Sequence, residues 1–299
     1  MKEIVVISGK GGTGKTSLTA AFAVLAGSEI VVADCDVDAA DMHLLLEPDF
    51  QHKEAFFSGE LAVIDQSMCS ACGECAAVCR FDAIAIRNGQ YVVDEISCEG
   101  CGYCARVCPV EAITNIEQNV GNWFRSEIRT GTTMVHAGLK IGADNSGKLV
   151  AKVKNEAKAV AEKEGKDIIL VDGSPGVGCP VVSSLSGAAF TVLVTEPTVS
   201  GLHDLKRVHQ LVKMFGIPSG CIINKADLNA EVLAELRAFL AAEGIARLAE
   251  IPYNEKFTEA VTNGQTIVEW DEDSAGLIRD CWREIQTHVG TTILNGAGK

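Results

Sequence analysis

The chain has 299 residues, 47% of them hydrophobic, enough apolar material for a substantial core with a second small domain beside it, which excludes a disordered chain as the starting assumption. Lys and Arg total 26 against 40 Asp and Glu, a formal charge of −14, and aromatic residues make up 5%; a surface so acidic and so poor in stacking rings excludes a phosphate-backbone binder, and no nucleic-acid partner is expected. No apolar run approaches the roughly 18 residues of a spanning helix, and a glycine-rich loop follows directly on Met1–Ser8, so the expectation is a soluble cytoplasmic protein with no signal segment.

The first element is EIVVIS, Glu3 to Ser8, short, apolar and rich in β-branched residues, which predicts a buried strand. Residues Gly9 to Thr16 then read GKGGTGKT and fit G-x-x-x-x-G-K-[ST], with an Ala-rich helix predicted from Thr16 to Leu25. Glycines at this spacing let the backbone curl so that N–H groups of Gly9, Gly11, Gly12, Thr13, Gly14, Lys15, Thr16 and Ser17 face phosphate oxygens, aided by the helix dipole. Lys15 would neutralise the β- and γ-phosphates of ATP or ADP, and the Thr16 hydroxyl would take Mg²⁺. The competing reading of the loop is a purely structural strand-to-helix turn.

Further continuous apolar runs at Ile30–Ala33, Ile168–Val171, Thr191–Val194 and Cys221–Ile223 predict strands buried on both faces. Helical stretches at Leu149–Glu164, Gly201–Phe215, Ala230–Glu243 and Ala275–His288 lie between or after them. Such alternation predicts an α/β fold with a mostly parallel, doubly wound sheet. After the second strand comes DCDVDAADMHLLL, whose Asp34, Asp38 and Asp41 are as well explained by solvation or capping as by function, and whose Leu44–Leu46 run predicts a core-facing turn of helix.

The alternation breaks between about 60 and 118. Twelve cysteines are present and eight fall between Cys69 and Cys108. In an unexported chain, metal ligation explains them better than disulfides. CSACGECAAVCRFDAI, from Cys69, is echoed by CEGCGYCARVCPVEAI, from Cys98, with nine of sixteen positions identical at a spacing of 29 residues. The duplication predicts two equivalent sites in an inserted domain, 61–118, within a host domain of 1–60 and 119–299. Residues 119–148 carry no readable period. Cys35, Cys221 and Cys281 lie in or beside apolar runs and read as core. Cys179, in a Gly- and Pro-rich loop, reads as structural or weakly reactive, since Arg129 to Val150 contains no cysteine to partner it. The six histidines form no metal or catalytic pattern.

Together these motifs resemble the MinD/ParA family of P-loop ATPases, whose deviant Walker A loop carries a second lysine where this chain has Lys10. The resemblance implies a homodimer that sandwiches nucleotide, with Lys10 reaching phosphate on the partner subunit. It also implies that Asp36, in the DCD motif, orients the attacking water, and that Asp172, closing IILVD, reaches Mg²⁺ through water. Asn224 in INKAD, with Pro252 and Tyr253 in EIPYN, falls where the family contacts adenine. The insert resembles two-cluster bacterial ferredoxins, whose fourth cysteine crosses over. That likeness implies two [4Fe-4S] clusters, one on Cys69, Cys72, Cys75 and Cys108, the other on Cys98, Cys101, Cys104 and Cys79. Pro109 keeps the ferredoxin Cys-Pro ending and Arg80 departs from it. Two zinc sites are the alternative, disfavoured by the third cysteine in each run.

The function so implied is an ATPase that couples nucleotide state to electron transfer or to binding of a redox or metalloprotein partner. A cluster-assembly or metallocentre-insertion factor and a ParA-like positioning ATPase are the alternatives. A membrane-binding tail is not expected, since the C-terminal segment offers only Arg279, Arg283 and Lys299.

Overall fold

Strands that are apolar throughout are buried on both faces, and the centre of the sheet is built that way. The computed structural model describes residues 1–290, so Lys299 lies outside them. In chain order the elements are β1 (Lys2–Ser8), α1 (Lys15–Ala26), β2 (Ile30–Asp34), α2 (His43–Leu46), β3 (His52–Ile64), α3 (Glu74–Val78), β4 (Ile84–Arg87), β5 (Gln90–Val93), α4 (Tyr103–Val107), β6 (Ile113–Glu127) and β7 (Thr133–Leu139). Then follow α5 (Ser146–Glu164), β8 (Ile168–Asp172), α6 (Cys179–Leu185), β9 (Phe190–Thr195), α7 (Val199–Met214), β10 (Ser219–Asn224), α8 (Ala230–Glu243), β11 (Ala246–Ile251), α9 (Lys256–Thr262), α10 (Ile267–Trp270) and α11 (Glu272–Val289).

Two units pack separately. Met1–Glu54, Trp123–Gly138 and Ser146 onward form the first; Ala55–Asn122 and Leu139–Asn145 form the second. The main sheet runs β11-β10-β9-β1-β8-β2-β7-β6-β3. Its neighbours from β11 to β7 are all parallel. Within the first unit, alternate strand residues Ile4, Val6, Val32, Leu170 and Val192 pack with Phe22 of α1 and Ile278, Trp282 and Ile285 of α11. Phe22 and Trp282 stack with ring centroids 5.3 Å apart. The intervening residues Val5, Ile7 and Val171 are equally buried, and α5 and α6 pack against each other and against β1, β2 and β8. Side-chain caps fix where the later helices start: Thr198 accepts from Gly201 N, Asn229 from Glu231 N and Val232 N, and Asp271 from Ser274 N.

A buried ion pair ties this unit together. Glu3 on β1 and Lys154 on α5 meet at 2.8 Å, and the Lys154 ammonium also donates to the carbonyls of Ser184 and Ser186 at the end of α6.

The second unit repeats itself in its backbone angles. Ala71 and Gly100 have φ of 57° and 61°, Gly73 and Gly102 82° and 70°, and Asp82 and Glu111 50° and 51°, each pair 29 residues apart. Gly100 must be glycine, because a Cβ there would stand 2.1 Å from the Glu60 carbonyl oxygen. The two copies also interlock, Asp65 N donating to Ala112 O and Asp94 N to Ala83 O, both at 2.7 Å. The core between them is small: Ala62, Cys75, Ile84 and Ile113.

Several expectations need correcting. Leu44 does not face the core: it is 54% exposed, while Leu45 and Leu46 are buried, because α2 is a single turn with one inward face. The stretch 119–148 holds the end of β6, all of β7 and the start of α5. Its polar, Gly-rich composition hid two strands, β6 with an irregular mixture of buried and exposed residues and β7 with four buried residues in a row. The second compact unit comprises Ala55–Asn122 and Leu139–Asn145.

Candidate nucleotide site and cysteine cavities

The phosphate loop joins β1 to α1, and its shape follows from its glycines. Gly14 has φ +90°, and a Cβ on it would lie 2.5 Å from Asn224 Nδ2; a Cβ on Gly9 would lie 2.5 Å from the backbone of Asp204. Gly14 therefore admits the neighbouring strand's side chain, whereas Gly9 serves the packing of α7 against the loop. Gly11 to Ser17 line an open cavity of about 410 Å³, together with Asp36, Asp38, Asp41, Ser174, Pro175 and Pro180. Gly9 and Lys10 are not on its wall.

At its edge five side chains converge. Lys15 Nζ is 2.8 Å from Asp172 Oδ2 and 3.2 Å from Asp36 Oδ2. The Thr16 hydroxyl donates to Asp172 Oδ2 and the Thr19 hydroxyl to Asp172 Oδ1, both at 2.8 Å. Burial pulls the Lys15 pKa down, but Asp172, Asp36 and Asp34 outweigh it and the net shift is upward. Burial raises the Asp36 pKa despite the pull of Lys15. Asp34 is fully buried rather than solvated, and burial, then repulsion from Asp172, pushes its carboxyl up to about 8. Lys15 thus stands between two carboxylates, an arrangement that a polyphosphate and a divalent cation could take over group by group, phosphate receiving the ammonium and the cation the oxygens.

Asn224 ends β10 and its side chain donates to Thr13 O at 2.8 Å, so it is part of the loop's scaffold. Pro252 and Tyr253 follow β11 and do not line the cavity; Tyr253 N donates to Asp227 Oδ1 at 2.6 Å. Two residues here were not legible from pattern. Glu196, just past β9, accepts from Lys10 at 2.7 Å and from Lys225 at 2.9 Å, and Lys225 donates in turn to Gly12 O at 3.2 Å. A lone glutamate after an apolar strand carries no spacing signal; its setting in TEPTVSG, beside a helix start, was the only hint.

In the second unit the eight cysteines divide between two small cavities. Cys79, Cys98, Cys101 and Cys104 line one; Cys69, Cys72, Cys75 and Cys108 line the other. Each cavity thus takes three cysteines from one copy and the last from the other. Burial, then repulsion from neighbouring cysteines, raises the thiol pKa of Cys75 and of Cys104. Among the described residues no group of three or more His, Cys, Asp or Glu side chains is drawn together closely enough to hold a metal ion. The residues fit a thiolate-bound group by donor chemistry, four sulfurs to a cavity, without being closed on one.

Cys35, Cys221 and Cys281 are buried core residues, and burial raises the pKa of each thiol. Cys179 is exposed at the first position of α6.

The model of the CobQ/CobB/MinD/ParA nucleotide binding domain matches residues 4–267. The chain belongs to this family. Among relatives of this CobQ/CobB/MinD/ParA protein, MJ0578 of Methanocaldococcus jannaschii, named as uncharacterized, is 34% identical over 229 residues, 76% of this chain and 79% of the relative. A second protein of that organism, MJ0579, is 26% identical over 277 residues, 91% of this chain and 93% of the relative. The solved structure of septum site-determining protein MinD from Pyrococcus horikoshii, complexed with Mg-ADP, is similar at TM-score 0.58 and 21% identity, covering 97% of each chain. A ParA family ATPase from Chlorobium tepidum is similar at TM-score 0.57 and 16% identity, over 94% of this chain and 98% of that one. At such identities the structures establish the fold, an α/β architecture on a large, mostly parallel sheet. No helix among the described residues is long and apolar enough to cross a membrane. In α11, Arg279 and Arg283 are paired with Glu272 and Asp280.

Proposed function

We propose that this MinD/ParA-family chain binds and hydrolyses MgATP as a homodimer and holds two [4Fe-4S] clusters in a ferredoxin-like domain, 61–118, inserted into an ATPase domain of 1–60 and 119–299. Nucleotide state would then govern electron transfer to, or binding of, a redox or metalloprotein partner. The observation that carries the cluster reading is the division of the eight cysteines into two cavities of four, each completed by the last cysteine of the other copy. That exchange is the ligand pattern of two-cluster ferredoxins, while a zinc pair needs no such crossing.

The nucleotide reading rests on the gathering of Lys15, Thr16, Asp36 and Asp172 around one loop. Loop N–H groups from Gly11 to Ser17 would hold the phosphates, Lys15 the β- and γ-oxygens, and Thr16 with Asp172 the Mg²⁺. Asp36, less buried than Asp172, would orient water toward the terminal phosphate; positioning is most of what such a reaction asks of a protein. Lys10 would contact a second subunit, and Asn224, Pro252 and Tyr253 would contact adenine, as the family resemblance implies. When bound, the clusters would supply one-electron storage; Cys69, Cys72, Cys75 and Cys108, and Cys98, Cys101, Cys104 and Cys79, would hold and insulate them.

An anaerobic preparation tests both halves: iron and sulfide counting, and paramagnetic resonance spectra of the reduced protein with and without MgATP. About eight irons per chain and a nucleotide-dependent spectrum are expected. Zinc in place of iron would end the cluster reading, and a preparation that binds no ATP would end the other.

A further inference from the structure

Lys10 sits in the phosphate loop, yet its ammonium is not on the cavity wall that Gly11 to Ser17 form. It spends its three N–H groups on Glu196 Oε1 at 2.7 Å, Ser200 Oγ at 2.9 Å and Thr198 Oγ1 at 3.3 Å. Glu196 is held from the other side as well. Its Oε2 accepts from Lys225, which also reaches the Gly12 carbonyl. The Glu196 backbone is fixed by the entry of α7, where a Cβ on Gly201 would stand 2.3 Å from the Glu196 carbonyl oxygen. One carboxylate, buried at the end of β9, thus joins both flanks of the phosphate loop.

We propose that Glu196 is a latch: it holds Lys10 away from phosphate until a nucleoside triphosphate, and not a diphosphate, draws the lysine off, while Lys225 keeps Glu196 and the Gly12 carbonyl in place. Glu196 is a positioning residue in this scheme, acting through Lys10, and the inference rests on the nucleotide reading above. The physical basis is competition between anions for one ammonium. Lys10 loses nothing by moving only if its new partner offers at least as many acceptor oxygens and more charge than a carboxylate does, and a terminal phosphate offers both. A diphosphate lacks that terminal group. The arms of the latch differ in the same sense: the Lys225 arm also bonds to a main-chain carbonyl and has a structural task, whereas the Lys10 arm bonds only to side chains and is free to leave. Two lysines keep Glu196 ionised despite its burial, its pKa lying below the ordinary carboxylate value.

The test measures ATP and ADP dissociation constants for the full chain as wild type, Glu196→Gln, Lys10→Ala and the double variant, each checked for a cooperative melt. Glu196→Gln should tighten ATP about fivefold while leaving ADP within about twofold, and in the Lys10→Ala background the gain should vanish, because residues in direct contact couple. A gain that persists without Lys10, or equal effects on ATP and ADP, overturns the latch while leaving the nucleotide reading intact. A wild type that binds no nucleotide overturns both. Should Glu196→Gln fail to fold, Ser200→Ala removes another hold on Lys10 from an exposed helix start; it should give a smaller ATP-selective gain, and its absence overturns the proposal.

Discussion

In the phosphate-loop unit the functional groups are already paired: Lys15 with two aspartates, Lys10 and Lys225 with Glu196, Asn224 with the Thr13 carbonyl. In the cysteine unit eight thiols line two cavities, and the core beside them consists of Ala62, Cys75, Ile84 and Ile113. Both arrangements follow from size. A large sheet buried on both faces can carry ionised side chains in its interior, provided each finds its opposite. A unit of two short repeats has a much smaller core, and on the proposed cluster reading a thiolate-bound group would contribute folding free energy of its own. The comparison breaks most visibly if that group is removed. Stripping iron anaerobically with a chelator should leave the first unit resistant to protease and open the second between Ala55 and Asn122 to rapid cleavage, with full loss of its protection. A stripped chain whose second unit stays resistant would show that the small core suffices.

The next effect in size lies in the first unit, where pairing itself can be broken. Lys154 and Glu3 are 4% and 3% exposed in their side chains, so Lys154→Met strands a buried carboxylate that keeps only the more exposed Lys158. A loss of roughly 3–5 kcal/mol in urea unfolding is expected. Glu3→Gln added to Lys154→Met should recover part of it, because the stranded charge is then gone. A single variant as stable as the wild type would show that the pair contributes only what a surface pair does.

Smaller again is the effect on rate. Lys15→Ala leaves Asp36 and Asp172 facing each other without their cation, and removes the charge proposed to meet the phosphates. Phosphate release should fall by roughly 10²–10³-fold, the usual cost of losing one preorganised charge at a transferring phosphoryl group. Unchanged hydrolysis would move the reaction away from this loop.

Chemistry that depends on fixed spacing was readable in the chain: GKGGTGKT announced its turn, the paired cysteine runs their duplication, and the continuous apolar strands β1, β2, β8, β9 and β10 the parallel centre of the sheet. Features set by tertiary contact were not. β3 and β6 are largely exposed or mixed in burial and carry polar residues and Gly, and β7 is a short run interrupted by His136 and Gly138, so local composition argued against strands that pairing in the sheet stabilises. Glu196 and Lys225 lie 29 residues apart, and nothing in either neighbourhood says that they meet. Asp34 looked like one of several solvated acids, yet a strand buried on both faces carries its last residue inside with it.

The smallest effect separates buried neutrality from buried pairing. His136 on β7 is packed against Phe50 and Phe124, and its Nε2 lies 3.0 Å from Ser126 Oγ. Burial, then repulsion from His43, lowers its pKa from 6.5 to about 4. Because the folded value lies below the unfolded one, the unfolded chain binds the extra proton between them. This contribution to stability is therefore complete above about pH 6.5 and is lost as the pH falls toward 4, with a slope of at most about 1.4 kcal/mol per pH unit from this one group. His136→Gln should flatten the urea-unfolding midpoint between pH 6.5 and 4.5 relative to wild type. Parallel profiles for the two proteins would mean that His136 takes up its proton without unfolding, and that this aromatic corner admits charge as readily as the phosphate-loop floor does.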